Sequence, residues 1–153
     1  MTSSAEGTGR RRAIVVSACL LGVRCNHLGE GNPSAAVLAL AGSHDLVPIC
    51  PEVAGGLPTP RPPAIRGPDG RVVTVEGTDV TDSFTRGADA AVALARAVNA
   101  ERAVLKARSP SCGWRNNGIT AAALLAAGFA VGDEDDEGAQ PAPRPTMEPP
   151  SGA

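Results

Sequence analysis

Apolar positions in this chain gather into short continuous runs rather than long alternating ones. Three of them, Ala13–Ala18, Asp45–Ile49 and Ala103–Lys106, are aliphatic or β-branched and end at a polar residue or a Gly/Pro signal. Runs of this length and composition predict buried strands. Helical spacing dominates elsewhere. It is clearest over Asp79–Ala100, where Ala88, Ala91, Val92, Ala95 and Val98 recur on one face and Thr81 or Asp82 stands ready as a cap. Pro33–Ala41 reads as a short helix opened by its proline, and Thr120–Ala127 as another closed by Gly128. Prolines and glycines crowd residues 54–78, and Pro68-Asp69-Gly70 between Ile65 and Val72-Val73 predicts a hairpin. Strands alternating with helices predict an α/β, Rossmann-like architecture: a mostly parallel sheet covered by helices, in a single compact domain.

The chain has 153 residues, which suits one domain. Residues 1–11 read as a disordered N-terminal tail and residues 12–132 as the folded domain. Residues 133–153 open with Asp133-Glu134-Asp135-Asp136-Glu137 and continue into a Pro-rich stretch, so they read as a disordered acidic tail. With two Phe, one Trp and no Tyr, the core must be filled by Val, Leu, Ile and above all Ala. Small side chains of that kind let helices sit close to a sheet.

A net charge of −2 gives no electrostatic case for nucleic acid, and Arg10-Arg11-Arg12 reads as part of a solvated tail. No apolar stretch approaches the ~20 residues that span a bilayer. The Ala13-Ile14-Val15-Val16 run after the arginines is too short for a signal sequence. The expected location is the cytoplasm, where thiols stay reduced, so the four cysteines point to a metal or to catalysis rather than to bridges.

Their placement sharpens this. Cys19 follows the first predicted strand, Cys50 follows the second, and Cys112 lies six residues after the third. Ligands of an open parallel sheet bind beyond the carboxyl ends of its strands, so three distant cysteines are expected to meet at one sheet edge. Cys25, six residues after Cys19, lies within reach of it. Neither the paired spacing of zinc ribbons nor the dense runs of ferredoxins is present. Single cysteines delivered by separate strand ends suit a cluster embedded in an enzyme, and three thiolates on a [4Fe–4S] cluster leave one iron open. The plainer alternative is that all four are buried structural thiols.

Flanking residues supply candidate chemistry. Glu52, two residues beyond Cys50, is either an acid or base beside an open iron or a carboxylate favoured by a helix N-terminus. Ser109 and Ser111 in Ser109-Pro110-Ser111-Cys112-Gly113 are either site hydroxyls or turn-capping groups. Lys106 and Arg61 are candidate partners for a carbonyl oxygen or an anionic intermediate. His27 and His44 stand singly, without metal-ligand spacing.

Val16-Ser17-Ala18-Cys19-Leu20-Leu21-Gly22-Val23-Arg24-Cys25 resembles the opening signature of the DUF523 family. The resemblance continues in order through Val47-Pro48-Ile49-Cys50-Pro51-Glu52-Val53-Ala54-Gly55-Gly56-Leu57-Pro58-Thr59-Pro60-Arg61, Gly77-Thr78-Asp79-Val80-Thr81, and Leu105-Lys106 with Ser109-Pro110-Ser111-Cys112-Gly113, covering about residues 13–131. That family includes the thiouracil desulfurases. The resemblance implies a [4Fe–4S] cluster held by Cys19, Cys50 and Cys112, with a free iron that takes the sulfur of a thiolated pyrimidine while water supplies the new oxygen. It implies proton handling or substrate positioning for Glu52 and a serine near Cys112. Cys25 stays open between a spare thiol, a sulfur acceptor and a fourth ligand.

Two departures stand out. His27-Leu28-Gly29 replaces a Tyr-Asp-Gly-like element, and only Trp114-Arg115-Asn116-Asn117 separates Gly113 from Gly118-Ile119-Thr120-Ala121. Trp114 is therefore a candidate to cap the pocket by stacking on a flat ring, with plain packing as the alternative. The expected function is non-redox desulfuration of a small thiolated heterocycle such as 2-thiouracil. The rival reading is a non-catalytic iron–sulfur or zinc protein acting as a sensor, carrier or interaction module.

Overall fold

The computed structural model describes residues 11–138. A four-stranded sheet runs in the order β2-β1-β5-β6, with β1 at Arg12–Ser17, β2 at His44–Ile49, β5 at Arg102–Leu105 and β6 at Ala130–Asp133. Every pairing in it is parallel. The predicted hairpin is present as a separate antiparallel pair, β3 at Ala64–Arg66 and β4 at Val72–Thr74. The Rossmann-like, mostly parallel expectation is met.

Period-two alternation along β1 sends its residues to both faces of the sheet. Val15 joins Ala91, Ala95, Leu105, Cys112, Ala121 and Leu124 on one face, where α3 (Thr81–Ala97) and α4 (Ile119–Ala126) lie. Ile14 and Val16 join Leu20, Val37 and Val104 on the other, where α1 (Ala35–Ala39) lies. The alanines of α3 are the small residues that let it approach the sheet. Pro48 costs β2 nothing in pairing because that strand is at the sheet edge.

Register decides the site. Ser17 stands opposite Ile49, and Leu105 stands opposite Asp133, so the chain leaves all four strands at one edge. Beyond β2 comes α2 (Pro51–Ala54), pressed onto α3 at two glycines. A Cβ on Gly87 would lie 1.9 Å from the Pro51 carbonyl oxygen, and one on Gly55 would lie 1.9 Å from that of Ser83. Only glycine fits either crossing, and the crossing fixes where Cys50 and Glu52 sit.

Several boundaries differ from expectation. The helix predicted to open at Pro33 starts at Ala35, because Ser34 Oγ accepts the Val37 N–H at 3.2 Å. Neither Thr81 nor Asp82 caps α3. Its cap position is Val80, while Thr81 Oγ1 accepts the Val72 N–H at 2.9 Å and so ties the helix to β4. The helix ends at Ala97, since Asn99 turns left-handed (φ 50°).

The largest correction concerns the acidic run placed outside the domain. Asp133 ends β6, and Glu134–Gly138 forms α5. Asp133 is 1% exposed, its Oδ1 accepts the N–H groups of Asp135 and Asp136 at 2.9 and 3.0 Å, and its Oδ2 holds Arg115 at 2.7 Å. A buried carboxylate fully engaged in this way is a helix cap, not a tail. Arg11, expected in the N-terminal tail, pairs with Asp45 at 2.9 Å. The remaining tail expectations, residues 1–10 and 139–153, lie outside the described residues. No helix among the described residues is long and apolar enough to cross a membrane.

Candidate metal centre

All four cysteines are free thiols and line one cavity of about 460 Å³ at the carboxyl edge of the sheet. Cys19 sits in a single 3-10 turn (Ala18–Leu21) after β1, and Cys50 is the residue between β2 and α2. Cys112 arrives on the turn after β5, where Ser109 Oγ accepts the N–H groups of Ser111 (3.1 Å) and Cys112 (3.0 Å). Cys25 is brought in by a loop whose backbone bonds to Cys19 and Glu30.

The thiols crowd one another. Burial raises the Cys19 pKa, with an Asn32 hydrogen bond pulling it back and the neighbouring Cys50 charge adding to it. Burial, then the charge of Cys50, pushes Cys25 up to about 12. Cys112 is pushed up to about 12 by burial, against a hydrogen bond from Ser17, with Glu52 and the other cysteines adding to the rise. Buried thiolates this close need a compensating positive centre. Among the described residues no three Cys, His, Asp or Glu groups converge on a single ion. All four cysteines instead line one cavity, and a soft all-sulfur donor set there fits an iron–sulfur group.

Glu52 lines the cavity and is held by Arg61 at 2.8 Å, with only 15% and 5% of the two side chains exposed. Arg61 also lines it, but its five N–H groups face protein acceptors. Nε reaches Glu52, Nη1 reaches Pro58 O and Thr59 Oγ1, and Nη2 reaches Cys25 O (2.9 Å) and Cys50 Sγ (3.9 Å). Arg61, expected as a cation for a substrate, thus lines the cavity with its N–H groups turned to protein acceptors. A second, smaller cavity of about 210 Å³ lies against the same Glu52–Arg61 pair.

Lys106 lines the cavity, with Nζ on Glu134 Oε2 at 2.9 Å and on Ala107 O at 3.0 Å. Ser109 lines it too. Ser111 does not; it is 1% exposed and its hydroxyl is shared with Thr120 Oγ1 at 2.8 Å, anchoring the start of α4. Trp114 does not cap the cavity either. Its indole N–H donates to Asp136 Oδ2 at 3.1 Å, its ring packs against the α3/α4 core, and Arg115 covers it at 4.4 Å. The Ser111 hydroxyl and the Trp114 ring, both expected at the cavity, do not line it. His27 lines the cavity, while His44 sits away from it beside Ser43 and Glu101.

Residues unforeseen in the sequence complete the site. Ser17 Oγ donates to Cys112 Sγ at 3.3 Å and accepts the Lys106 N–H at 2.8 Å. Asn32 donates its backbone N–H to the Cys19 carbonyl at 2.8 Å, and Glu134 braces Lys106. A small polar residue ending a strand at the ligand edge was the available signal for Ser17; Asn32 and Glu134 carried none.

A family model described as 2-thiouracil desulfurase matches residues 14–136. The chain is 36% identical to the uncharacterized protein YbbK of Bacillus subtilis (strain 168), over 80% of this chain and 96% of that one. It is similar in structure to a protein described as a [4Fe-4S]-dependent thiouracil desulfidase, TudS, with a TM-score of 0.74 and 41% identity over 82% of this chain and 93% of that one. The chain belongs to the 2-thiouracil desulfurase family, as the resemblance of its motifs to DUF523 implied.

Proposed function

We propose that this protein is a [4Fe–4S]-dependent desulfurase that replaces the sulfur of a small thiolated heterocycle such as 2-thiouracil with oxygen from water. The observation carrying this reading is the convergence of Cys19, Cys50 and Cys112 from three strand ends on one cavity of about 460 Å³. That volume lies within the range of small-molecule sites. Family membership and the likeness to the thiouracil desulfidase TudS support it.

Cys19, Cys50 and Cys112 hold the cluster, which when bound supplies an open iron that is a soft Lewis acid for a thiocarbonyl sulfur. Glu52 handles the proton. Arg61 engages its Oε1 and so aims the carboxylate, leaving Oε2 to take a proton from water or deliver one to a ring nitrogen. Lys106 is the cavity cation with an N–H to offer the heterocycle, since an ammonium has three and the protein engages two. Ser109 is held by two backbone N–H groups and keeps its own hydroxyl proton for the cavity. The walls of the cavity, Ile49, Pro51, Pro63, Ala64 and Pro110, are apolar and suit a flat ring.

The test is anaerobic incubation of cluster-loaded protein with 2-thiouracil in heavy-oxygen water. Uracil carrying the heavy oxygen, with sulfide released and the iron content unchanged, supports the reading. Intact cluster with no conversion of any thiopyrimidine contradicts it. One observation favours a second reading. Cys25 lines the same cavity beside Cys50, so a fourth thiolate is at hand to close the cluster in a sensor or carrier.

A further inference from the structure

Each of the four parallel strands places a functional group just past its carboxyl end. Cys19 follows β1, Cys50 follows β2, Lys106 follows β5, and Glu134 follows β6. The last of these does not line the cavity, yet it is built into its wall. Glu134 Oε1 accepts the Ala107 N–H at 2.7 Å and Oε2 takes Lys106 Nζ at 2.9 Å, with 14% of the Glu134 side chain exposed. The Asp133 cap fixes the turn of α5 that carries it. The rest of the acidic run fastens that turn to the segment bearing Cys112, where Asp135 pairs with Arg108 at 2.8 Å and Asp136 with Arg115 at 2.7 Å, and to the start of β5, where Glu137 pairs with Arg102 at 2.8 Å.

We propose that Glu134 is a positioning residue for the desulfuration, holding Lys106 in the cavity wall with one ammonium N–H left for the heterocycle. This rests on the function proposed above. A lysine stem is flexible, so its head group needs a partner of fixed position to present a donor reproducibly. Glu134 supplies that partner through one oxygen while its other oxygen is locked onto the backbone.

The experiment compares wild type, Glu134→Gln, Lys106→Met and the double variant, all cluster-loaded, with 2-thiouracil as substrate. Glutamine keeps an acceptor for the Ala107 N–H and replaces the charged acceptor facing Lys106 with an amide NH2 that can only donate. The expected result is a KM raised about tenfold in each single variant with kcat little changed, unchanged iron and sulfide content, and a double variant no worse than Lys106→Met. Effects that multiply in the double variant, or an unchanged KM in Glu134→Gln, overturn the proposal. If Glu134→Gln melts too low to assay, Glu134→Asp, which keeps the charge and shortens the reach, gives the same KM comparison.

A readout independent of turnover separates this proposal from the functional one. The acylation rate of Lys106 by an amine-reactive ester, mapped by peptide mass spectrometry, should rise several-fold in Glu134→Gln. An unchanged rate sinks the positioning role even if thiouracil is converted. A raised rate in a protein that converts no thiopyrimidine leaves the pairing in place and refutes the assigned reaction.

Discussion

Ser17 and Cys112, 95 residues apart in sequence, meet through a 3.3 Å hydrogen bond from the serine hydroxyl to the cysteine sulfur, and the same hydroxyl oxygen accepts the Lys106 N–H at 2.8 Å. One buried side chain thus joins the end of β1, the end of β5 and Cys112, the third of the proposed cluster ligands. Ser17→Ala leaves the Lys106 N–H without its partner, which costs about 1–3 kcal/mol when the group is buried. The variant should melt lower as apoprotein. When loaded, it should lose iron to a chelator faster than wild type. Equal chelation rates would show that the Ser17 bond does not support Cys112 as a ligand.

Gly87 reports on the other side of the site. Alanine there places a methyl group 1.9 Å from the Pro51 carbonyl oxygen, so α2 must move away from α3. Overpacking of this kind costs about 1–3 kcal/mol, and here the displaced element begins at a cysteine. Gly87→Ala is expected to lower the melting temperature and to reduce iron incorporation. Gly77→Ala is a useful contrast, because nothing lies near its Cβ position and only its left-handed φ of 90° is strained. It should lose stability without losing iron.

The Glu52–Arg61 pair separates holding from chemistry. Glu52→Gln keeps shape and a hydrogen-bond acceptor for Arg61, so the cluster should load normally while kcat falls by about 100-fold, the scale of a lost proton-transfer group. Arg61→Met leaves a largely buried carboxylate unpaired and removes the donors to Cys25 O and Cys50 Sγ. Breaking such a pair costs roughly 3–5 kcal/mol, so that variant should fail at folding or loading, not at turnover alone. Iron analysis beside kcat for both proteins checks the distinction.

The acidic run gives a pH dependence. Burial works to raise the Asp136 pKa, but the Arg115 pair, the Asp133 N–H and the Trp114 indole outweigh it and hold the folded value below that of the unfolded chain. A depressed carboxylate stabilises the fold above its unfolded pKa of ~3.9, and that contribution is lost as pH falls through the lower folded value. Stability of the apoprotein should therefore decline below about pH 4. Asp136→Asn should flatten part of that decline. An identical acid limb in the variant would place the effect elsewhere.

How far the sequence could be read follows from the range of each signal. The strands and the cysteines behind them were legible because aliphatic runs and strand-end placement are local patterns, and topology then converts them into one site. Residues 133–137 were misread because five acids in a row look solvated. Their partners Arg102, Lys106, Arg108 and Arg115 lie 18 or more residues away, and neither β6 nor α5 exceeds five residues. Trp114 and Ser111 were misplaced for a related reason. Both lie within two residues of Cys112, but the Ser111 hydroxyl turns to Thr120 and the Trp114 ring packs on the α3/α4 core, on either side of a turn at Gly113 tight enough that a Cβ would meet Asn116 at 2.0 Å. Arg61 lies in the cavity lining, and only the fold reveals how many protein acceptors its guanidinium meets there.

The central claim is a cluster on Cys19, Cys50 and Cys112 with one iron left open. The most direct test is anaerobic reconstitution of wild type and Cys25→Ser with iron and sulfide, followed by metal and sulfide counts and a spectrum of each. The account predicts about four irons and four sulfides in both proteins, as three thiolates suffice for a [4Fe–4S] centre with an open iron. A cluster formed by wild type alone would contradict it, since Cys25 would then close the fourth position. Tight zinc with no cluster in either protein would contradict it outright.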